Sequence, residues 1–192
     1  SKNIYSSLNC GLGSNDKESN VLGNLAIVSE KIGVSKNNLF LMNQTHSNKI
    51  VTINENNRNI QRINSDALIT KIRNIAISVV TADCVPILIY EEINHIVACI
   101  HAGWKGAVNG IIKNTLKEIV NMGKNNKIHV AVGPCIGVKN YEVGKEFFNK
   151  FIKEDKKNEI FFFHSQKDKF LFDLRSYVNF KIKEFDVQHL EN

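Results

Sequence analysis

Two apolar runs separated by a short polar turn dominate the middle of the chain. They cover Val85–Glu91 and His95–Ile100 and are rich in Ile, Val and Tyr, which favours a β-hairpin. Antiparallel pairing about residues 92–94 would place opposite one another residues whose numbers sum to about 185. Cys84 and His101 satisfy this rule at the open end of the hairpin, where opposed Cβ atoms lie roughly 4.5–5.5 Å apart. The pattern therefore predicts a thiol and an imidazole close enough to share one metal ion.

Hydrophobic periodicity assigns much of the remaining chain to helices and strands around this hairpin. Apolar positions at helical spacing predict helices at Glu18–Ile32, Gly106–Met122, Tyr141–Lys153 and Asp173–Glu184. Apolar runs predict strands at Asn38–Gln44, Lys49–Asn54, Asp66–Thr70, Ile75–Asp83, Ile128–Val132 and Ile160–His164. The buried stripe of the second helix is expected to consist of Val108, Ile111, Ile112, Leu116, Ile119 and Val120. The polar stretch Asn54–Asn64 is predicted to be an exposed loop.

These elements predict the class of fold. Strands and helices do not alternate in the strict order that a purely parallel sheet requires, and no linker or internal repeat divides the chain. We therefore predict an α+β fold, with a single domain over residues 1–192 that packs helices on a mixed β-sheet.

Composition and charge narrow the class of protein. The 192 residues carry a formal net charge of +6, but the lysines are scattered and no nucleic-acid-binding motif accompanies them. No apolar run approaches the length that spans a membrane, so we expect neither a membrane nor a nucleic-acid partner. The 4 cysteines are widely spaced, unlike those of a small disulfide scaffold, which favours a reducing, cytoplasmic location.

A third ligand is needed beside Cys84 and His101, and His46 is the leading candidate. It falls in a predicted turn between two strands, from which a side chain can project into a cleft. Two histidines, one cysteine and a vacant fourth position describe an open catalytic zinc site. Each residue also has an ordinary interpretation, since a cysteine beside a strand is usually a small core residue and a histidine in a turn is usually solvated.

Five motifs in a fixed order give the sequence a family resemblance. They are NQTHS, DALIT, TADCVP, HAGWKG and GPCIG followed by YEVG, with SLNCG near the start and FLFDLR near the end. They resemble the YfiH-like family, whose members are variously labelled multicopper polyphenol oxidase, laccase-domain protein and purine nucleoside phosphorylase. The resemblance implies zinc held by His46, Cys84 and His101. It also implies a zinc-dependent enzyme for purine nucleosides, by phosphorolysis of adenosine, inosine or methylthioadenosine or by deamination of adenosine.

Three further residues are candidates for contact with the expected substrates, a purine nucleoside and phosphate. The amides of residues 103–106 begin a predicted helix and could bind phosphate with Lys105, although the glycines there also suit a plain turn. Asp83 is a candidate acid–base, or a residue that orients a metal ligand by a hydrogen bond. Gln44, two residues before His46, is a candidate contact to the purine.

Other functions stay open at the level of sequence. A multicopper oxidase needs many histidine ligands, whereas this chain has 6 histidines and no His-x-His pair. A single copper centre would need a weak axial ligand, for which Met42 is available. A zinc-stabilised binding domain without catalysis would be favoured by a fourth protein ligand such as Cys135. The label of peptidoglycan editing enzyme, which bacterial members also carry, is neither supported nor excluded.

The sequence departs from the family pattern, most of all at its ends. Members usually begin with Gly-Gly before the serine aligned near Ser1, commonly show Asn-Arg where this chain has Asn24-Leu25, and continue into an Arg-rich segment. We therefore expect a chain that lacks the family's extreme N- and C-terminal segments. The zinc ligands lie in the middle of the chain, so metal binding is expected to survive even where the substrate pocket is incomplete.

Overall fold

A mixed β-sheet of six strands lies at the centre of the fold in the computed structural model, which describes residues 1–60, 62–123 and 125–192. The strands are β1 (Leu39–Leu41), β2 (Ile50–Ile53), β3 (Ala67–Thr70), β4 (Ala76–Ser78), β5 (Val85–Glu91), β6 (Ile96–Ala102), β7 (Ile128–Val132), β8 (Glu142–Gly144), β9 (Phe162–Gln166), β10 (Lys169–Phe172) and β11 (His189–Glu191). The central sheet has the order β11-β7-β5-β6-β3-β2. The β2–β3 and β7–β11 pairs are parallel and the other neighbours are antiparallel, so the predicted α+β class with a mixed sheet is confirmed.

Helices cover one face of this sheet. The helices are α1 (Glu18–Lys31), α2 (Trp104–Val108), α3 (Ile111–Met122), α4 (Lys145–Glu154) and α5 (Leu174–Ile182). Helices α2, α3 and α5 pack on the sheet, and the main core includes Ile87, Ile100, Ile111, Leu116 and Tyr177, all 0% exposed. No helix in the described part of the chain is long and apolar enough to cross a membrane.

The opposite face of the sheet carries a second, smaller core. Side chains alternate along β3 and β6, so Leu68 and Cys99 point away from the main core. They pack with Phe40 of β1, Met42 and Ile53, under the parallel pair that β1 forms with β4. Helix α1 packs in turn on β1. The loop after β1, which contains His46, is thus anchored against the central sheet.

The hairpin forms, but its register differs from the prediction. Val85 pairs with Ala102 and Glu91 with Ile96, so paired residue numbers sum to 187. The turn contains four residues, 92–95, because His95 takes a left-handed φ of 52° and ends the turn instead of beginning the strand. His101 therefore pairs with Pro86, and Cys84 lies diagonally across from it.

The predicted helix Gly106–Met122 is divided into α2 and α3. Gly110 separates them with a left-handed φ of 89°, a conformation that glycine adopts without steric cost. Val108 is only partly buried and Val120 is 42% exposed, in contrast to the prediction. The rest of the predicted stripe is buried: Ile111, Ile112, Leu116 and Ile119.

The predicted helix Tyr141–Lys153 starts later, at Lys145. Residues Glu142–Gly144 form β8 instead, because they pair with β10 in a separate three-stranded sheet of order β8-β10-β9. Aromatic rings fill the space between this sheet and α4, with Phe147, Phe151 and Phe172 within 5.2 Å of one another by ring centroids. This aromatic packing joins the small sheet to the main core.

Element ends differ from the prediction in both directions. Strands β1 and β4 are shorter than the predicted Asn38–Gln44 and Ile75–Asp83, and β9 begins after Ile160. The sequence pattern does not predict β8, β10 or β11, which are short and are selected by pairing with distant partners. The predicted loop Asn54–Asn64 is exposed or half-exposed where it is described; Gln61 lies outside the described residues.

Candidate metal centre

His46, Cys84 and His101 converge on one point. Their ligand atoms all lie within 4.8 Å of one another, and the Cys84 Sγ is 3.7 Å from the His46 Nε2. For Zn–S and Zn–N bonds of about 2.3 and 2.0–2.1 Å at a tetrahedral angle, this sulfur–nitrogen separation would be roughly 3.6 Å. The kinds of donor and the separation of this sulfur–nitrogen pair fit a tetrahedral metal ion of the size of zinc.

Each ligand comes from a different part of the fold. Cys84 immediately precedes β5 and is half-buried, whereas His101 lies on β6 and is buried. His46 lies in the exposed loop between β1 and β2, where it has a left-handed φ of 55°. Few non-glycine residues adopt this conformation, so the surrounding contacts must hold it.

A fully buried carboxylate, that of Asp66, contacts both histidines. Its Oδ1 lies 2.8 Å from the His101 Nδ1 and accepts a hydrogen bond from the His46 backbone N–H at 3.0 Å. Because the His101 Nδ1 donates to the carboxylate, the other ring nitrogen, Nε2, is the one that can bind a metal. This is the carboxylate–histidine arrangement that fixes ring orientation in metal sites.

The same carboxylate organises the turn that carries His46. It accepts hydrogen bonds from the backbone N–H groups of Thr45, His46 and Ser47 and from two hydroxyls, those of Thr45 and Ser47, at 2.7–3.2 Å. A buried charge without such partners would cost several kcal/mol. The donors therefore compensate the burial of Asp66 and fix the left-handed turn at the same time.

The charges at the centre follow from these contacts. Burial alone would raise the pKa of Asp66, but hydrogen bonds from His101, Ser47 and Thr45 outweigh it and hold the pKa below its usual range. Burial alone would lower the pKa of His101, but Asp66 and Cys84 outweigh it and raise the pKa to about 9. Burial, together with His101 and Lys105, lowers the pKa of His46. The lowered pKa favours the neutral imidazole of His46, which is the form that binds a cation.

Gly103 leaves room for the ligands. It lies one step beyond the Val85–Ala102 pair, opposite Cys84. A Cβ atom at this position would be 2.7 Å from the His46 Cδ2 and 3.0 Å from the Cys84 Sγ. Any larger residue would therefore push a ligand side chain out of place.

A cavity of about 300 Å³ opens beside His46, and we refer to it as the metal-side cavity. It is lined by the loop of residues 10–14, by residues 41–44, and by His46, Arg62 and Val80. The cavity gives a small molecule access to one metal ligand.

The structure places two of the predicted substrate-contacting residues near the centre. Gln44 lines the metal-side cavity, but its amide is used at both ends: Nε2 donates to the Val80 carbonyl at 2.8 Å and Oε1 accepts from the Val80 N–H at 2.9 Å. Asp83 is exposed beside Cys84. The hydrogen bond that orients a histidine ligand comes from Asp66. An acid–base role for Asp83 and a purine contact for Gln44 stay predictions.

Lys105 and Cys135 lie to the side of the ligand group. The exposed Lys105 places its Nζ 5.6 Å from the centre of the Trp104 ring. Lys105 and Trp104 line a separate cleft of about 380 Å³, the Trp104 cleft, together with Val108, Asn109, Lys150, Lys153 and Glu154. Cys135 is half-buried near Arg175, and burial raises its pKa. Among the described His, Cys, Asp and Glu residues, none joins the three ligands as a fourth.

Sequence reasoning did not identify Asp66 or Gly103 as site residues. The available signal for Asp66 is an acidic residue directly before a strand whose four residues are all buried. Charged residues are rarely fully buried unless they are paired, so such a residue needs a partner nearby. For Gly103 the signal was weaker, because a glycine between a strand and a helix is also typical of a plain turn.

The fold brings two histidines and one cysteine together as a candidate metal centre, and comparison with known proteins identifies the family of the chain. Residues 1–192 match the family described as multi-copper polyphenol oxidoreductase laccase, and the chain belongs to this family. A purine nucleoside phosphorylase of Rickettsia conorii is 35% identical over 181 residues, which are 92% of this chain and 74% of that protein. An adenosine deaminase of an unknown prokaryote is 34% identical over 160 residues, which are 80% of this chain and 60% of that protein.

Solved structures agree with this assignment. The YfiH protein of Bacillus licheniformis superposes with a TM-score of 0.92 at 24% identity, covering 100% of this chain and 76% of its own, and so shares the fold. A Neisseria meningitidis protein has a TM-score of 0.86 at 28% identity and covers 99% and 76%, respectively. The resemblance to the YfiH-like family that the motifs indicated is confirmed.

Proposed function

We propose that the protein is a zinc-dependent enzyme that acts on purine nucleosides, by phosphorolysis or by deamination of adenosine. The observation that carries the proposal is the ligand group His46, Cys84 and His101, oriented by Asp66 and open to the metal-side cavity. Relatives named purine nucleoside phosphorylase and adenosine deaminase supply the substrate class. Four free cysteines suit a cytoplasmic enzyme.

The donor set favours zinc over a multicopper centre. Two imidazoles and one thiolate are ordinary zinc ligands, and the described residues offer a single such group. Several coupled copper sites would need more histidines than the 6 of this chain. A single copper ion with Met42 as axial ligand is the remaining copper alternative, and metal analysis separates it from zinc.

Catalysis is favoured over a purely structural metal. A structural zinc site is closed by four protein ligands, whereas three ligands leave a position for water or substrate. Cys135, the candidate fourth ligand, is not part of the group. The cavity beside His46 is the proposed approach to that position from solvent.

The residues of the chain then have separate tasks. The two histidines and Cys84 hold the ion, and Asp66 keeps both histidines in place. Zinc, when bound, supplies Lewis acidity, which polarises an oxygen or lowers the pKa of a water. The metal-side cavity positions the nucleoside, and Asp83, which is exposed beside Cys84, is the proposed acid–base.

Metal analysis of variants tests the ligand assignment. We expect about one zinc per chain in the wild type, and strong loss of zinc in Cys84→Ala and in His101→Ala. His189→Ala removes an exposed histidine far from the ligand group in sequence and should keep its zinc. Unchanged zinc in both ligand variants would overturn the assignment, and copper in place of zinc would favour the oxidase alternative.

Turnover assays test the substrate class. The zinc-loaded protein is given adenosine, inosine and methylthioadenosine, with and without phosphate. Release of free base that requires phosphate indicates phosphorolysis, and conversion of adenosine to inosine indicates deamination. Oxidation of a polyphenol by the copper-loaded protein, with no change in any nucleoside, would contradict the proposal.

A further inference from the structure

The metal-side cavity contains one side chain with a permanent charge. Its described lining consists of apolar and neutral polar residues apart from His46 and Arg62, and no carboxylate lines it. Arg62 is therefore the lining residue that brings a permanent positive charge to the cavity.

Arg62 also borders a second cavity. This leucine cavity, of about 420 Å³, shares Leu12, Leu41 and Arg62 with the metal-side cavity. Lys36 and Arg58 lie on its lining, and again no carboxylate does. Arg58 is already paired with Glu55 at 2.9 Å, whereas no ion pair within the described residues involves Arg62. Arg62 thus stands at the junction of two cavities with its charge uncompensated.

Lys105, the residue that the sequence favours for phosphate, faces a different space. Its ammonium lies along the Trp104 ring and lines the Trp104 cleft, which does not include a metal ligand. Helix α2, which follows Gly103, has 5 residues and so offers little helix dipole.

We propose that a phosphate group binds in the metal-side cavity against Arg62, and not at Lys105. This inference rests on the proposed function for the identity of the ligand. The planar guanidinium of arginine donates two parallel hydrogen bonds to a phosphate, an arrangement that a lysine ammonium cannot make. The phosphate is either an inorganic co-substrate or the 5′-phosphate of a nucleotide, since both present the same oxygens.

Calorimetric titration of the zinc-loaded protein with inorganic phosphate tests the location. Arg62→Ala should weaken phosphate binding by about tenfold to a hundredfold, which is the usual effect of losing a charged hydrogen-bond donor. Arg73→Ala removes an exposed arginine that lines neither cavity and should leave the affinity unchanged. Lys105→Ala should change it by less than about threefold, as for a distant, screened charge.

Three results would overturn the proposal. They are equal phosphate binding by Arg62→Ala and wild type, loss of binding in Lys105→Ala instead, and no saturable phosphate binding by wild type. A parallel titration with adenosine 5′-monophosphate and adenosine separates the two sources. A tighter, Arg62-dependent binding of the nucleotide assigns the phosphate to the substrate. Phosphate-dependent release of base from adenosine, lost in Arg62→Ala, assigns it to a co-substrate.

The binding measurement is independent of turnover, so the two proposals can fail separately. If no nucleoside is converted but phosphate binding depends on Arg62, the anion site stands and the proposed function is wrong. If nucleosides are converted and phosphate affinity is the same in Arg62→Ala and wild type, the proposed function stands and the proposed location of the phosphate site is wrong. Zinc content, measured in every variant, confirms that the metal centre is intact.

Discussion

Asp66 contacts one histidine ligand through its ring and the other through its backbone. Five donors in the turn of residues 45–47 and the ring of His101 surround its two oxygens. A change at this residue therefore acts on metal binding without removing a ligand. At the scale of single residues, this carboxylate therefore determines how both histidines are placed.

Replacement of Asp66 by Asn should weaken zinc binding. An amide NH₂ facing the His101 Nδ1 favours the tautomer with a proton on Nε2, and that nitrogen then cannot bind the metal. We expect a loss of affinity of about tenfold to a hundredfold, the usual effect of losing such a partner. Competition with a chromogenic chelator measures it.

The variant Asp83→Asn separates the two acidic residues. Asp83 is exposed, and within the described residues its side chain makes no hydrogen bond to a ligand side chain, so its loss should leave zinc affinity within about threefold. A large loss of zinc affinity in Asp83→Asn, together with a small loss in Asp66→Asn, would show that Asp83, and not Asp66, orients the metal ligands.

Gly103 gives a steric test of the same centre. In Gly103→Ala the added Cβ would lie 2.7 Å from the His46 ring, while the backbone φ of −70° and ψ of 160° suits alanine. We therefore expect zinc affinity to fall by at least about tenfold, with little change in the thermal midpoint of the metal-free protein. Gly137→Ala is the matched control, because nothing lies within 4 Å of its Cβ position and its φ is −77°. Equal zinc affinity in both variants would show that the ligands lie elsewhere.

The sequence predicts the three candidate ligands that the structure brings together, but it does not predict the residues that orient them. Cys84 and His101 flank a hairpin, a local feature, and His46 lies in a recognisable motif. Asp66 bonds a turn about 20 residues earlier and a strand 35 residues later. Neither contact leaves a periodic pattern in the sequence, since each depends on how the sheet is assembled.

At the scale of elements, a buried carboxylate stabilises the turn of the β5–β6 hairpin. Glu91 is fully buried at the end of β5, and its carboxylate accepts hydrogen bonds from the backbone N–H groups of Ile93, Asn94 and Lys127 at 2.7–3.1 Å. Burial alone would raise the pKa of Glu91, but these bonds outweigh it and lower the pKa below its usual value of 4.5. The carboxylate thus joins the turn to the start of β7.

Glu91→Gln should destabilise the fold by about 1–3 kcal/mol near pH 7. The reason is that at least one of the three backbone N–H groups bound by Glu91 would lose its charged acceptor. The pKa in the folded state is depressed, so the stabilisation is present above pH 4.5 and is lost as the pH falls through the folded-state value. The difference between wild type and variant, from urea unfolding, should therefore shrink below pH 4.5. Glu92→Gln, at an exposed surface pair, should cost less than about 1 kcal/mol. A difference between wild type and Glu91→Gln that is independent of pH would contradict this account.

Long periodic elements were predicted well and short paired ones were not. The hairpin strands, β7, α1 and α5 lie close to their predicted bounds, because each carries enough apolar residues to show a period. Strands β8 and β11, of 3 residues each, show no period and exist through pairing with β10 and β7. Gly110 divides the predicted helix Gly106–Met122, because it takes a left-handed φ. The spacing of apolar residues along that helix carries no information about such a residue.

At the scale of the whole molecule, the candidate metal centre lies between two layers of the fold. His101 belongs to the central sheet, whereas His46 follows β1, which lies in the layer on the opposite face from α3 and α5. Asp66, at the head of β3, bonds to both. The α+β class and the mixed sheet were predictable from the order of elements. The separate β1–β4 pair could not be predicted, because its two strands are distant in sequence and too short to show a pattern that indicates their pairing.

The two buried carboxylates also solve a problem of strand alignment. A slip of β6 by one residue would turn its whole apolar set to the wrong face, so burial alone forbids it. A slip by two residues restores the faces and shifts every residue by roughly 6.6–6.8 Å, which burial hardly penalises. Such a slip would carry His101 away from Asp66 at one end and open the Glu91 turn at the other. Asp66 and Glu91 therefore disfavour the shifted register that the apolar pattern alone would allow. Asp66, which orients the candidate metal ligands, thus also helps to fix the register of the sheet.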